Sequence, residues 1–196
     1  NREWFYRSMR NGRGYRRERI KCATVLNRNF RMNDKLLKYF QRILPLSQEE
    51  IEAIVETMTI KHFNKGTILL KEGQISTEAY FVLEGCVRQY YLVDGEEKTK
   101  NFFTEEQWVI SMSGFGEPNP SNHYLDCCID TTLVVGNRDK EESLYKRFPK
   151  LETVSRKVME KVFVEQHEIM SSYTTDTAEQ RYLKLLKSRP DLFQKI

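Results

Sequence analysis

The chain has few of the residue types that carry most chemistry. Its 196 residues include three histidines, four cysteines and five prolines. No stretch reaches the roughly 18 consecutive apolar residues of a membrane-spanning helix, and no apolar signal-peptide core stands near the amino end. A membrane span and classical secretion are therefore not expected, and a cytoplasmic location is. Cys22, Cys86, Cys127 and Cys128 include no C-x-x-C spacing, so reduced, buried thiols are expected rather than a zinc site or a disulfide framework. His62, His123 and His167 stand singly with no H-x-H pair, which removes the ligand cluster that a metal-dependent β-roll enzyme requires. A G-x-S-x-G elbow, a phosphate-binding P-loop and a cysteine with an obvious histidine partner are missing as well. The sequence gives no catalytic constellation and no metal site, and the expected protein is not an enzyme.

Charge is present but unevenly spread. Residues 1–31 hold nine Arg and one Lys against Glu3 and Glu18, whereas the whole chain is only +4. Interleaved Trp4, Phe5, Tyr6 and Tyr15 would suit a nucleic-acid or acidic-lipid arm. The segment lacks apolar periodicity, however, and Met32 stands where an initiator would. Residues 1–31 are therefore read as a basic extension, disordered or non-native.

From Met32 the pattern is regular. Asn33 or Asp34 can cap a helix with Leu36, Leu37, Phe40, Ile43 and Leu44 on one face, closed by Pro45. Ser47 and Glu50 form a capping box for a second helix with an inner stripe of Ile51, Ile54, Val55 and Met58. Between Lys65 and Gly95, four glycines punctuate short runs of β-branched and aromatic residues, and Asp94-Gly95 is a strong hairpin signal. Phe102, Phe103, Trp108, Val109 and Ile110 continue the β pattern. Asp139 with Glu142 makes another box, and Pro149 opens a long helix with Leu151, Val154, Val158, Val162, Ile169 and Tyr173 near a seven-residue repeat. Phe163 and Val164 widen that stripe, so one side is expected to pack on the sheet and the other on a partner. Ser171 to Thr174 reads as a polar hinge, and Thr177 with Gln180 caps a last helix.

Phe63, Lys65, Gly66, Glu72, Gly73, Tyr80, Gly85, Val87 and Arg88, with D-G following, resemble the cyclic-nucleotide-binding β-roll of the Crp/Fnr family of bacterial transcription regulators. The resemblance implies an α+β fold: an antiparallel β-roll of jelly-roll type over residues 32–148, short helices before it, a dimerisation helix over 149–174, and over 175–196 the start of a winged helix-turn-helix. It also implies a homodimer, with DNA read through a C-terminal domain that the chain does not contain, and Leu151, Val154, Val158, Val162, Ile169 and Tyr173 at the dimer seam. Iron–sulfur and haem versions of the family lack their ligands here.

The same resemblance places a small-molecule effector against a candidate pocket of Tyr80, Arg88, Ser113, Phe115, Gly116, Glu117 and Ser121. In the cyclic AMP version of the cassette an Arg ahead of Ser or Thr neutralises the phosphate, and here Pro120 precedes Ser121. Losing a charge-assisted contact worth about 1.5–3 kcal/mol makes tight cyclic nucleotide binding unexpected. The alternative to a regulator is a stand-alone small-molecule-binding or protein-interaction module that never meets DNA.

Overall fold

Aromatic side chains on both faces of one sheet set the architecture. The structure, a computed structural model, describes residues 35–111, 113 and 119–196. The extension 1–31 therefore lies outside the described residues, as do Phe115, Gly116 and Glu117.

Helix α1 (residues 35–43) buries Leu36, Tyr39 and Phe40. Tyr39 is an addition to the expected stripe. Helix α2 (Gln48–Thr57) begins on the Ser47–Glu50 capping box, with the Ser47 N–H donating to Glu50 Oε2 at 2.7 Å and the Glu50 N–H to Ser47 Oγ at 3.3 Å. Its buried side is Glu50, Ala53 and Ile54, while Val55, expected inside, is exposed.

Among the described residues eight strands follow: β1 (Thr59–Phe63), β2 (Ile68–Leu70), β3 (Glu78–Glu84), β4 (Val87–Val93), β5 (Glu96–Phe103), β6 (Trp108–Val109), β7 (Tyr124–Cys127) and β8 (Thr131–Asn137). They form two four-stranded sheets, ordered β1-β8-β3-β6 and β2-β7-β4-β5, and all their pairings are antiparallel. This is the expected β-roll. Leu70, Tyr80, Val82, Val87, Phe103, Val109, Leu125, Leu133 and Val135 fill the space between the sheets. Phe81 points out of the other side of β3, where its ring lies 5.0 Å from Tyr39 and 5.1 Å from Trp108. Covered on both faces, β3 and β8 become continuous apolar runs instead of alternating strands.

Two turns explain their glycines. Asp94 and Gly95 have φ of 54° and 80° between the paired ends Val93 and Glu96, the two positive values a tight hairpin turn needs. Gly85 has φ 115°, and a Cβ there would stand 2.5 Å from Thr131 Oγ1 and 2.7 Å from Thr131 Cα. Backbone conformation and space both demand glycine at that position.

Strand β8 runs into helix α3 (Arg138–Arg147). Helix α3 already begins at Arg138, so Asp139 lies within it, and the side chain on which the expected capping box depends lies outside the described residues. Helix α4 (Pro149–Thr175) starts with proline at its first turn, as the sequence indicated. It passes straight through the expected hinge at Ser171 to Thr174. The Ser172 hydroxyl donates to Ile169 O and the Thr175 hydroxyl to Ser171 O, so these polar residues satisfy themselves on the helix they were expected to break. The break falls at Asp176, after which the Thr177–Gln180 box opens helix α5 (Ala178–Ser188). A single 3₁₀ turn (Leu192–Gln194) ends the described chain, with Leu192 fully buried.

Candidate functional site

A cavity of about 510 Å³ lies between the roll and the long helix. Gln89 and Tyr91 on β4 and Lys100 and Phe103 on β5 form one wall. Asn119, Pro120, Asn122 and His123 contribute a second, and Met159, Val162, Phe163 and Gln166 of α4 a third.

Lys100 owes its place to a bulge. Gln89 pairs with Asn101 and Tyr90 with Thr99, so Lys100 is left over in the β4–β5 register. A bulge re-aims the extra residue, and here the Lys100 ammonium stands 5.9 Å from the centre of the Tyr91 ring. Among the described residues no carboxylate pairs with it. The Tyr91 ring lies 5.9 Å from that of His123. His123 is buried, and its Nδ1 lies 3.2 Å from Asn122 Oδ1. Burial first and the Lys100 charge second hold its pKa below the ordinary histidine value. Among the described residues the cavity is therefore lined by one lysine, an imidazole of depressed pKa, several amides and an apolar floor.

The 119–123 segment is fixed from behind. The Gly73 N–H donates to Ser121 O at 2.8 Å and the Ser121 N–H to Gln74 O at 2.8 Å. The Ser121 hydroxyl, only 2% exposed, donates to His123 O at 2.9 Å and accepts from the His123 N–H. Ser121 shapes the loop and is not on the cavity wall.

The other residues marked in the sequence are dispersed. Ser113 lines the cavity, and its hydroxyl is 2.7 Å from that of Ser111. Tyr80 packs in the core between the sheets with its hydroxyl on Glu78 Oε2 at 2.8 Å. Arg88 lies on the opposite face of β4 from Val87, because strand residues alternate. There it donates to Asp126 through Nε at 3.1 Å and Nη2 at 2.8 Å, and it meets Glu97 at 2.8 Å. Neither Tyr80 nor Arg88 lines this cavity, and both polar groups have partners elsewhere. Lys100 and His123 line the cavity but were not among the residues marked in the sequence. Alternation alone would not single out Lys100, since a bulge belongs to the pairing of two strands.

Helix α4 divides its apolar stripe. Leu151, Val154 and Val158, expected at a dimer seam, are buried in the chain's own fold. They cover the aromatic side of the roll together with Phe40, Ile54 and Trp108. Val162 and Ile169 are half-buried, and Tyr173 donates to Lys100 O at 3.3 Å. The exposed apolar residues are Phe163 (73%), Val164, Met170 (64%) and Tyr173.

The C-terminal segment returns to the roll. Arg189 donates to Phe102 O, Thr104 Oγ1 and Gln107 Oε1 at 2.8, 3.0 and 3.1 Å, and Lys195 pairs with Glu105. Among the described residues no helix is long and apolar enough to cross a membrane, and no group of three His, Cys, Asp or Glu is placed to hold a metal.

Residues 60–148 match the family model of the cyclic nucleotide-binding domain. The HTH-type transcriptional regulator ArcR of Staphylococcus aureus (strain Newman) is 22% identical over 111 residues, covering 56% of this chain and 46% of the relative. The match thus spans about half the length of that curated relative. A cyclic nucleotide-binding domain from Methylobacillus flagellatus has the same fold, with TM-score 0.62 and 18% identity over 74% of this chain and 86% of the other. So does the c-di-GMP responsive global regulator CLP of Xanthomonas campestris, with TM-score 0.58 and 16% identity over 74% of each chain.

Proposed function

Because the chain carries the cyclic nucleotide-binding domain, in the fold of the Crp/Fnr-type regulators, we propose that it is the effector-sensing and dimerising part of a transcriptional regulator. DNA would be read by a C-terminal helix-turn-helix. The observation that carries this reading is the double wall of the 510 Å³ cavity, formed by the roll on one side and Met159, Val162, Phe163 and Gln166 of α4 on the other. An occupant touches both at once, so binding free energy acts on the position of the helix.

The effector is a small molecule with one anionic group for Lys100 and an apolar or aromatic body for Phe103, Trp108 and Met159. No arginine lines the cavity among the described residues. A cyclic phosphate would meet Pro120 where the resemblance calls for a guanidinium, so a nucleotide is a poor occupant.

A thermal-shift series on the whole chain tests this, with cyclic mononucleotides in one set and small aromatic and aliphatic carboxylic acids in the other. A saturable rise with an acid, lost in Lys100→Met, supports the reading. A saturable rise of several degrees with cyclic AMP overturns the nucleotide exclusion, and a chain that no compound shifts argues against a sensor.

A further inference from the structure

Strands β4 and β7 carry a ladder of cross-strand pairs on the face turned away from Val87 and Leu125. Tyr90 is opposite Tyr124 and Arg88 opposite Asp126. Both pairs touch, the rings stacking at 5.1 Å and the ion pair closing at 2.8 Å. Val87 is opposite Cys127, so one further step in the same register sets Cys86 opposite Cys128. The backbone agrees, with the Cys128 N–H donating to Cys86 O at 2.9 Å.

Directly opposed residues of an antiparallel pair have Cα atoms about 4.5–5.5 Å apart. Disulfides span Cα separations of about 4.4–6.8 Å, a range that suits residues opposite one another just past the paired ends of β4 and β7. The two sulfurs are unequal. Cys86 is fully buried and Cys128 half-buried. The neighbouring Cys128 first and burial second push the Cys86 thiol up, while the neighbouring Cys86 draws the Cys128 thiol below its ordinary range; burial and Asp126 oppose this, and Arg88 and Lys65 assist it.

We propose that Cys86 and Cys128 are a two-electron redox pair, converted to a reversible intramolecular disulfide by a hydroperoxide that enters at Cys128. The Cys128 thiolate attacks the outer peroxide oxygen, the O–O bond breaks, and the leaving alkoxide or hydroxide takes a proton, giving Cys128 sulfenic acid. Cys86 sulfur then attacks the Cys128 sulfur, and the departing hydroxide takes the Cys86 proton to leave as water. In sum, two thiols and one hydroperoxide become a disulfide, water and the corresponding alcohol, or a second water when the oxidant is hydrogen peroxide. The pair stands next to Gly85, whose N–H donates to Glu105, the carboxylate that also holds Lys195. Oxidation therefore occurs at the edge of the surface that receives the C-terminal segment.

The test is mass spectrometry on the native full chain after graded hydrogen peroxide, alkylation of remaining thiols and peptide mapping. The expected product is a peptide pair joined through Cys86 and Cys128 within one chain, undone by dithiothreitol. Cys86→Ser should instead accumulate Cys128 sulfenic acid, trapped by dimedone, and Cys128→Ser should leave Cys86 unreacted. The idea is overturned if wild-type Cys128 proceeds to sulfinic acid beside a free Cys86 thiol, if it links to another cysteine or chain, or if neither thiol reacts. The linkage is read on the wild type, so misfolding of a variant does not weaken the test.

Discussion

The Arg189 guanidinium donates to the Phe102 carbonyl oxygen at 2.8 Å across 87 residues of sequence, and the same group holds Thr104 and Gln107. Beyond α4, this contact and the Lys195–Glu105 pair tie the end of the described chain to the roll.

Arg189→Ala should release that end. Hydrogen bonds from a charged group contribute about 1.5–3 kcal/mol, and Leu192, fully buried behind Arg189, would follow. Hydrogen exchange should accelerate across residues 178–196 while the strands keep their protection. Unchanged exchange there would show that the contact holds nothing in place.

Gly85→Ala should be far more damaging than its size suggests. The new methyl would meet Thr131 backbone at 2.7 Å with φ at 115°, and strain of this kind costs about 1–3 kcal/mol before the clash is relieved. A urea titration should show the midpoint falling with little change in slope. A variant as stable as the parent would disprove the close approach of β8.

His123 should make stability depend on pH in a specific direction. Its folded pKa is depressed by burial and by Lys100, so below the unfolded histidine value of about 6.5 the unfolded chain binds more protons than the folded one. Stability from this group is present above about pH 6.5 and is lost as pH falls from there toward the folded pKa. Comparing wild type with His123→Gln between pH 7.5 and 5 should show a flatter profile in the variant. Parallel profiles would mean that the imidazole titrates normally.

Phe163 and Met170 lie seven residues apart on α4, exposed at 73% and 64%, on a helix whose first turns are committed to the roll. Replacing both with glutamate should leave the fold intact, since neither side chain is buried, and should convert a dimer to monomers in sedimentation velocity. If the parent chain is itself monomeric at tens of micromolar, the proposed pairing through this stripe is wrong.

Local chemistry was readable in the sequence. Ser47 with Glu50, Thr177 with Gln180, and Asp94-Gly95 each depend on side chains and dihedrals within four residues, and each stands in the structure where its pattern placed it. Antiparallel β structure was also readable from glycine punctuation and apolar runs, and the β-roll from the resemblance carried by residues such as Phe63, Gly66, Gly73 and Gly85. Partner choice was not. Arg88 has a charge suited to a ligand, but its alternation gives only the face, and Asp126, 38 residues away, had already taken its guanidinium. Leu151, Val154 and Val158 show the same ambiguity in a helix, since a seven-residue spacing serves a neighbouring chain and a neighbouring sheet equally well. Lys100 was hidden because its position comes from a mismatch between two strands.

Trp108 stands where three parts of the molecule meet: it touches Phe81 of the sheet at 5.1 Å and Phe40 of α1 at 6.1 Å, and it lines the cavity beside Met159 and Val162. The chain has one other tryptophan, Trp4. In a Trp4→Phe background the protein would carry its own optical gauge, a single indole whose emission reports filling of the cavity and any shift of α4 in the same spectrum, with no dye attached.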